Sequence, residues 1–554
     1  MLRGCLLVKS ALSKQQRMSA AAFNFLPRNF SASAADHVLC VDALRQRSMR
    51  DRKTKIICTI GPKSAPKDSI NALLHAGMNV LRLNCSHGDH DFYRGVIETL
   101  ADCLENIRHG KSIDFSDGSR EDICAVALDT KGPEIRTGVY SDEVVASPTL
   151  REVQIERGSE VKLHCVSDMQ CAQTSTNIWC DYPNLPNIVK PGNKIFIDDG
   201  LLSLQVTSTH DTSVTCIAEN SSLLGERKGV NLPGVSVDLP AVSEKDRLDL
   251  EFAREDKRVD FIFASFIRSA DNVKEIRKIV GPDVHIISKI ENEEGVDNID
   301  EIIAESDGIM VARGDLGIEI PPERVFLVQK MILAKCNVAG KPAICATQML
   351  ESMTKNPRPT RAECGDVANA VLDGSDAVML SGETAKGNFA KETVEIMSKT
   401  CQAAEAAMDY HTTYEFVHRH TNLIGSKCQA EALVSAAVSA AFDEHAAMIV
   451  VITESGATAQ TVAKYRPESP ILAMTCNERT ARMLQLIRGP QVVLMPKAEG
   501  NVSTCGLDVE MVVEKATASG KEMQIVSPGD RIIIISSSAG DNLGPNVLRI
   551  VTVA

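Results

Sequence analysis

From Lys55 onward, short apolar runs recur along the chain, each followed by Gly or polar residues and then by a stretch of helical periodicity. The runs are "KIICTIGP", "NVLRLNCSHG", "ICAVALDTKGPEIRTG", "VDFIFASFIRSA", "VHIISKIENEEG", "DGIMVARGDLG", "KPAICATQML" and "DAVMLSGETAKG". They are continuous rather than alternating, the pattern of parallel strands covered on both faces. Eight such units predict an α/β fold closed as a (β/α)8 TIM barrel, in preference to an open doubly wound sheet. In that architecture the working residues gather at the carboxyl ends of the strands. Here the unusual polar residues fall at the ends of the runs.

The period breaks once. After "DTKGPEIRTG" come short alternating segments, "GSEVKLHC", "GNKIFIDDGLLSLQVTS" and "SVTCIAENSSLLG", separated by Gly, Asn and Asp. They predict a small β-barrel domain inserted after strand 3, placed to act as a lid that excludes water. The chain leaves it through "RKGVNLPGVSVDLP", a hinge-like composition. After "TCQAAEAAMDYHTTY" the strands "AMIVVITES", "SPILAMTC", "QVVLMPK", "DRIIIISS" and "VLRIVTVA" predict a separate C-terminal α/β domain, its last two strands antiparallel. The expected boundaries are an extension at 1–50, barrel at 51–132 and 239–408, lid at 133–238 and C-terminal domain at 409–554.

Composition narrows the class. The chain of 554 residues is 44% apolar and 24% charged, ordinary for a globular protein. Runs such as "RIIIIS" are far shorter than the ~20 residues needed to span a membrane. A net charge of −13 argues against nucleic-acid binding, and requires any phosphate site to be locally basic. Seventeen cysteines without a C-x-x-C pair suggest neither a zinc cluster nor a disulfide framework. Before Asp36 there are five basic residues and no acid, in a Ser- and Ala-rich stretch. That is the composition of a mitochondrial presequence, and "RNFSAS" resembles a processing site. The alternative is a cytosolic extension bypassed by starting at Met18.

The strand ends carry the chemistry. Arg82, Asn84 and Ser86 alternate onto one face, and Asp129 and Thr130 end the third strand. Their oxygens suit a hard cation, whereas Asn84 and Ser86 alone would read as caps. Lys289 and Glu291 share a face because side chains alternate along a strand. Glu291 and Asp315, on neighbouring strands, are expected to share one Mg²⁺. The competing reading pairs each acid with its neighbouring Lys289 or Arg313. Thr347, Ser381 and Glu383 end the last two strands, and Thr360 with Glu363 reads as a capping box. "HGKS" (His109–Ser112) lacks the glycine that a P-loop carries five residues upstream of Gly110, no G-x-G-x-x-G follows a strand, and "YHTTYEFVHRH" reads as a solvated helix or loop rather than a metal site.

These motifs in this order, "TIGP", "RLNCSHG", "ALDTKGPEIRTG", "SKIENEEG", "MVARGDLGIEIP", "ICATQMLESM", "RPTRAE" and "VMLSGETAKG", resemble pyruvate kinase. The resemblance runs from Lys55 to the C-terminus. It implies phosphoryl transfer from phosphoenolpyruvate to ADP, giving pyruvate and ATP, in a cytoplasmic homotetramer with a C-terminal regulatory domain. Arg82 and Lys289 match the phosphoryl-binding cations, and Glu291 and Asp315 the ligands of Mg²⁺ or Mn²⁺. The resemblance thus sets Lys289 and Glu291 on the substrate from two sides rather than on each other. Asn84, Ser86, Asp129 and Thr130 match the K⁺ site, and Glu134 the glutamate that accompanies K⁺ dependence. Asn84, His87, Arg136 and Lys228 fall at nucleotide-contacting positions. Gly314, Asp315 and Thr347 fall where the carboxylate and enolate are held, Thr347 near the path of proton delivery.

Rival readings are a Mg²⁺-dependent aldolase or lyase forming a pyruvate enolate, and a non-catalytic regulatory paralogue. The first needs neither the K⁺ residues nor a lid, and the second predicts a damaged site. In the C-terminal domain, Thr453, Ser455, Gly456 and Thr458 of "ITESGATA" sit where activated relatives bind a sugar phosphate. Animal forms carry a lysine where this chain has Glu454, and the final loop "SSSAGDNLGPN" lacks arginine and aromatic residues. Activation by fructose 1,6-bisphosphate is therefore expected to be weak or absent.

Overall fold

A computed structural model describes residues 52–109, 122–141, 151–166, 170–424, 428–495, 509–537 and 545–554. The presequence-like segment lies outside these residues, as do most of "HGKS" and most of the final loop. The eight apolar runs form β1 (Lys55–Thr59), β2 (Val80–Asn84), β3 (Ala125–Asp129), β4 (Phe261–Ala264), β5 (His285–Ile290), β6 (Gly308–Ala312), β7 (Ala343–Ala346) and β8 (Ala377–Leu380). Each pairs in parallel with its sequence neighbours, and β1 pairs with β8, closing the barrel.

The runs fail to alternate because both faces are buried, against different partners. Ile56, Leu81, Val126 and Ile290 face outward into the core shared with the surrounding helices. Ile57, Phe261, Phe263, Ile287, Met310 and Met379 face the axis and fill the barrel. This inner core supports the strand ends from below, so polar side chains one step higher on the same strands face its mouth. Its packing also includes Leu486 of the C-terminal domain, which closes the opposite end.

Between β3 and β4 lies a mainly β insert, with one short helix at Leu185–Ile188 and its own core. Its sheet runs in the order Ile135–Arg136, Gly229–Asn231, Lys194–Ile197, Leu202–His210, Ser213–Ala218, Glu160–His164, Asn177–Trp179. A second ladder pairs Glu152–Ile155 with Ser222–Gly225. Among the described residues these two ladders remain separate sheets. The C-terminal strands β9 (Met448–Ile452), β10 (Ile471–Thr475), β11 (Pro490–Leu494), β12 (Arg531–Ser536) and β13 (Val547–Thr552) form one sheet in the order β11-β10-β9-β12-β13. The final pair is antiparallel, as the short connection requires. "YHTTYEFVHRH" lies in a helix, Tyr410–Ile424, that is only partly exposed, with His418 bonded to Ser435 at 2.7 Å.

The floor of the barrel is joined to the C-terminal domain by buried charge. Arg466 forks onto both oxygens of Asp376, each at 3.0 Å, and the same carboxylate accepts from the Arg488 and Ala343 amides. Both side chains are nearly inaccessible, so removing one strands the other without solvent. We expect Asp376→Ala to cost about 3–5 kcal/mol of unfolding free energy, measured by urea denaturation.

Candidate active site

Four charged side chains meet at the barrel mouth because strand pleating aims them inward. Asn84 and Asp129 are register partners across β2 and β3, so Arg82 rises one layer below Asp129. Arg82 Nε donates to Asp129 Oδ2 at 2.7 Å, and Lys289 Nζ donates to Asp129 Oδ1 at 3.0 Å. Asp129 is 1% exposed. Burial alone would raise its carboxyl, but Arg82 and Lys289 outweigh burial and hold it below the ordinary value of 3.8. Ser265 at the end of β4 ties the group together, accepting from Lys289 at 2.7 Å and donating to the Thr130 carbonyl at 2.7 Å. Thr59 of β1 accepts from Arg82 Nη1 at 2.7 Å and donates to the Leu380 carbonyl.

Lys289 also pairs with Glu291 Oε1 at 2.9 Å. This corrects the expectation that the two do not engage each other. They project from one strand face into a dry mouth, where an unpaired charge of either sign is costly. Burial would strip the proton from Lys289, but the Asp129 and Glu291 carboxylates reverse that and keep it protonated. Glu291 is fully buried and accepts from the Phe266 amide at 2.6 Å. Burial pushes its carboxyl up, Lys289 pulls it down and the Asp315 charge pushes it up again, to about 7. Asp315 is likewise raised, chiefly by burial, with Lys289 opposing and Asp199 and Glu134 adding to the rise. Two neighbouring carboxyls that are both raised are short of positive charge, which suits a shared divalent cation. Among the described residues no group of three or more His, Cys, Asp and Glu is placed to hold a metal. A pair of carboxylates with open positions is the arrangement Mg²⁺ uses when substrate oxygens complete its shell. Arg313 is not the partner of Asp315; it pairs with Asp366 at 2.7 Å.

The end of β7 is held in an unusual backbone conformation. Thr347 and Gln348 have φ of 67° and 54°, the left-handed region that costs non-glycine residues energy. Arg313 fixes this turn by donating to the Thr347 carbonyl at 2.7 Å and the Gln348 carbonyl at 3.2 Å. The Thr347 hydroxyl accepts from the Gly314 amide at 2.7 Å and donates to the Ala346 carbonyl. Gly314, Asp315 and Thr347 are thus brought to one corner. Thr360 and Glu363 do form the expected capping box.

A cleft of about 550 Å³ separates lid and barrel, walled by Glu134, Arg136, Asp198, Lys228, Arg268 and Asp315 among others. Arg136 pairs with Glu134 at 2.6 Å, and Lys228 with Asp198 at 3.0 Å. His87 and Asn84 are not part of this wall; His87 is exposed on the loop after β2. Asn84, Ser86, Asp129 and Thr130 do cluster where β2 and β3 end, with the Asn84 oxygen accepting from the Ser86 amide. In the C-terminal domain, Gly456 (φ 85°) precedes the helix Ala457–Lys464, and its amide donates to the Thr453 hydroxyl at 2.9 Å. Ser455 and Thr458 flank it at the same turn.

Thr59, Ser265 and Phe266 are the contributors that sequence reasoning left unassigned, and Arg313 was considered only as a partner for Asp315. Thr59 and Ser265 had a signal, as lone hydroxyls closing apolar runs. The Phe266 amide had none.

Family models for the pyruvate kinase barrel domain and the pyruvate kinase alpha/beta domain match residues 51–394 and 431–551. The chain belongs to the pyruvate kinase family. It is 44% identical to a pyruvate kinase of Eimeria tenella, the match covering 90% of this chain and 89% of that protein. It is 46% identical to one from Dictyostelium discoideum, over 90% and 94%, and 42% identical to human pyruvate kinase PKLR, over 96% and 90%.

The Asp129 hub gives an acid-dependence with a definite sign. A carboxyl held below its ordinary value contributes stability that is present above about 3.8 and lost as pH falls through the folded-state value. Asp129→Asn is therefore expected to be markedly less stable than the parent at pH 7, with the gap narrowing below about pH 4 in a series of thermal or urea melts.

Proposed function

We propose that this chain transfers the phosphoryl group of phosphoenolpyruvate to ADP, giving pyruvate and ATP, as the last step of glycolysis. The observation that carries the reading is the pairing of Arg82 and Lys289 on one buried carboxylate, next to Glu291 and Asp315, both raised by burial, in a chain of this family. Phosphoryl transfer needs little covalent help from the protein; it needs positioned positive charge around the equatorial oxygens. Arg82 and Lys289 supply it, and Asp129 with Ser265 and Thr59 keeps both cations aimed up the barrel axis.

Glu291 and Asp315 would hold the divalent ion, Mg²⁺ or Mn²⁺, whose charge stabilises the enolate and polarises the phosphoryl oxygens. Asn84, Ser86, Asp129 and Thr130 would hold K⁺, a further positive centre beside the phosphoryl group, with Glu134 matching K⁺ dependence. Asp129 then serves three cations at once, which its fully ionised state permits. Gly314, Asp315 and Thr347 receive the carboxylate and enolate end of the substrate, and Thr347 lies on the path that protonates the enolate to pyruvate. Arg136 and Lys228 face the cleft from the lid and take the nucleotide phosphates, with Asn84 and His87 contacting the nucleotide from the barrel side.

The chain works as a homotetramer in this reading, supported by the exposed apolar Phe326, Leu327 and Ile550. No helix among the described residues is long and apolar enough to cross a membrane. The cytoplasm is the proposed compartment, with mitochondrial import of the full-length form as the alternative. A phosphorylated effector site is proposed at Thr453, Ser455, Gly456 and Thr458, where Glu454 opposes an anion.

Coupled pyruvate formation from phosphoenolpyruvate and ADP should require a divalent ion and should fall when Na⁺ replaces K⁺. Full activity in Na⁺ alone overturns the K⁺ assignment. Lys289→Met should lower kcat by about 10²–10³-fold with the fold retained, since it removes a charge that acts on the transition state. Near-normal turnover in that variant rejects the mechanism. Adding fructose 1,6-bisphosphate should leave the half-saturating phosphoenolpyruvate concentration nearly unchanged; a large drop rejects the reading of Glu454.

A further inference from the structure

Most free thiols among the described residues are buried, and Cys58, Cys124, Cys336 and Cys401 are pushed up by that burial and chemically quiet. Cys165 and Cys180, in the lid, differ by geometry. The strands Glu160–His164 and Asn177–Trp179 run parallel with His164 opposite Trp179. The next residue along each is a cysteine. The Cys180 amide donates to the His164 carbonyl at 2.8 Å, so the ladder continues one step further. Neighbouring strands lie about 5 Å apart, inside the Cα separation of about 4.4–6.8 Å that a disulfide accepts. Both thiols lie on the same sheet face, Cys180 within the lid's apolar core and Cys165 against it.

Their environments also split their roles. Cys180 is fully buried, whereas Cys165 is only partly buried and can be reached by a small oxidant. The neighbouring Cys180 thiol holds the Cys165 thiol below its ordinary value despite partial burial, and Cys180 is raised in exchange. An accessible, thiolate-prone cysteine beside a second thiol is the arrangement of an attacking and a resolving residue.

We propose that Cys165 and Cys180 form a peroxide-reactive dithiol that closes reversibly to a cross-strand disulfide. The Cys165 thiolate attacks one oxygen of hydrogen peroxide; an S–O bond forms, the O–O bond breaks, and the departing hydroxide takes a proton to leave as water. The Cys180 sulfur then attacks the Cys165 sulfenic sulfur. An S–S bond forms, the S–O bond breaks, and hydroxide leaves with the Cys180 proton as a second water. One peroxide is reduced by two electrons and two thiols are oxidised, and a dithiol reductant reverses the change. The location ties the site to the cleft. Cys180 bridges to Thr137, and the Asp181 carboxylate accepts from the Arg136 amide at 2.6 Å, so the cross-link would staple the strand beside the one carrying Arg136.

The test needs no catalytic assay, so it stands apart from the phosphotransfer reading. The full chain is exposed to hydrogen peroxide, blocked with N-ethylmaleimide, digested and mapped by mass spectrometry. A Cys165–Cys180 cross-linked peptide that disappears with dithiothreitol is the expected result. Cys180→Ser should instead leave Cys165 as a sulfenic acid captured by dimedone. The proposal is overturned if, in the unsubstituted protein, both thiols stay fully alkylated while the exposed Cys171 and Cys428 are oxidised. A cross-link joining Cys165 to Cys171 overturns it equally.

Discussion

One buried carboxylate organises the mouth of this barrel. Asp129 accepts from Arg82 and Lys289, cations that arrive from strands on either side of it, and it stays ionised because of them. Each of the three would be costly to bury alone. Together they fix the heading of two long, flexible side chains that would otherwise sample many rotamers. Ser265 and Thr59 absorb the donors that Asp129 cannot, so the cluster is polar, rigid and nearly sealed. The inner core beneath it, from Ile57 to Met379, sets the height at which these groups stand.

The acid pair beside this cluster behaves oppositely. Asp129 has positive partners to spare, whereas Glu291 and Asp315 share the influence of one lysine and are both raised by burial. The site therefore holds a charge imbalance across a few strand ends: a satisfied cationic side and an acidic side with unmet demand. That polarity fits a substrate carrying phosphate at one end and a metal-bound enolate at the other. The backbone shares in the arrangement. Thr347, Gln348 and Phe266 all adopt positive φ at strand ends, and Arg313 holds two of the three from behind. Strain of this kind persists where neighbouring contacts over-determine a geometry.

The architecture was legible because it rests on one-dimensional signals. Non-alternating apolar runs announced strands buried on both faces, and the change of texture after "DTKGPEIRTG" announced the insert. The capping box at Thr360 and the antiparallel final strands followed from local chemistry. The partnerships within the site were less legible. Alternation placed Lys289 and Glu291 on one face but could not say that they bond, since that depends on how dry the mouth is. Arg313 looked like a neighbour for Asp315, yet it turns away to Asp366 and to the carbonyls of the turn after β7.

What the sequence determined by itself was the set of chemical groups and their order: eight strand ends, two cations, two metal-competent acids, a cluster of oxygen donors and a lid. Periodicity and residue type carry that information locally, each within a few residues. Tertiary structure alone decided which groups touch. The hub at Asp129 joins β2, β3, β4 and β5, and the Cys165–Cys180 contact joins two strands through a register no local pattern specifies. Burial then decided their charge states, because desolvation is a property of everything packed around a group rather than of the group itself.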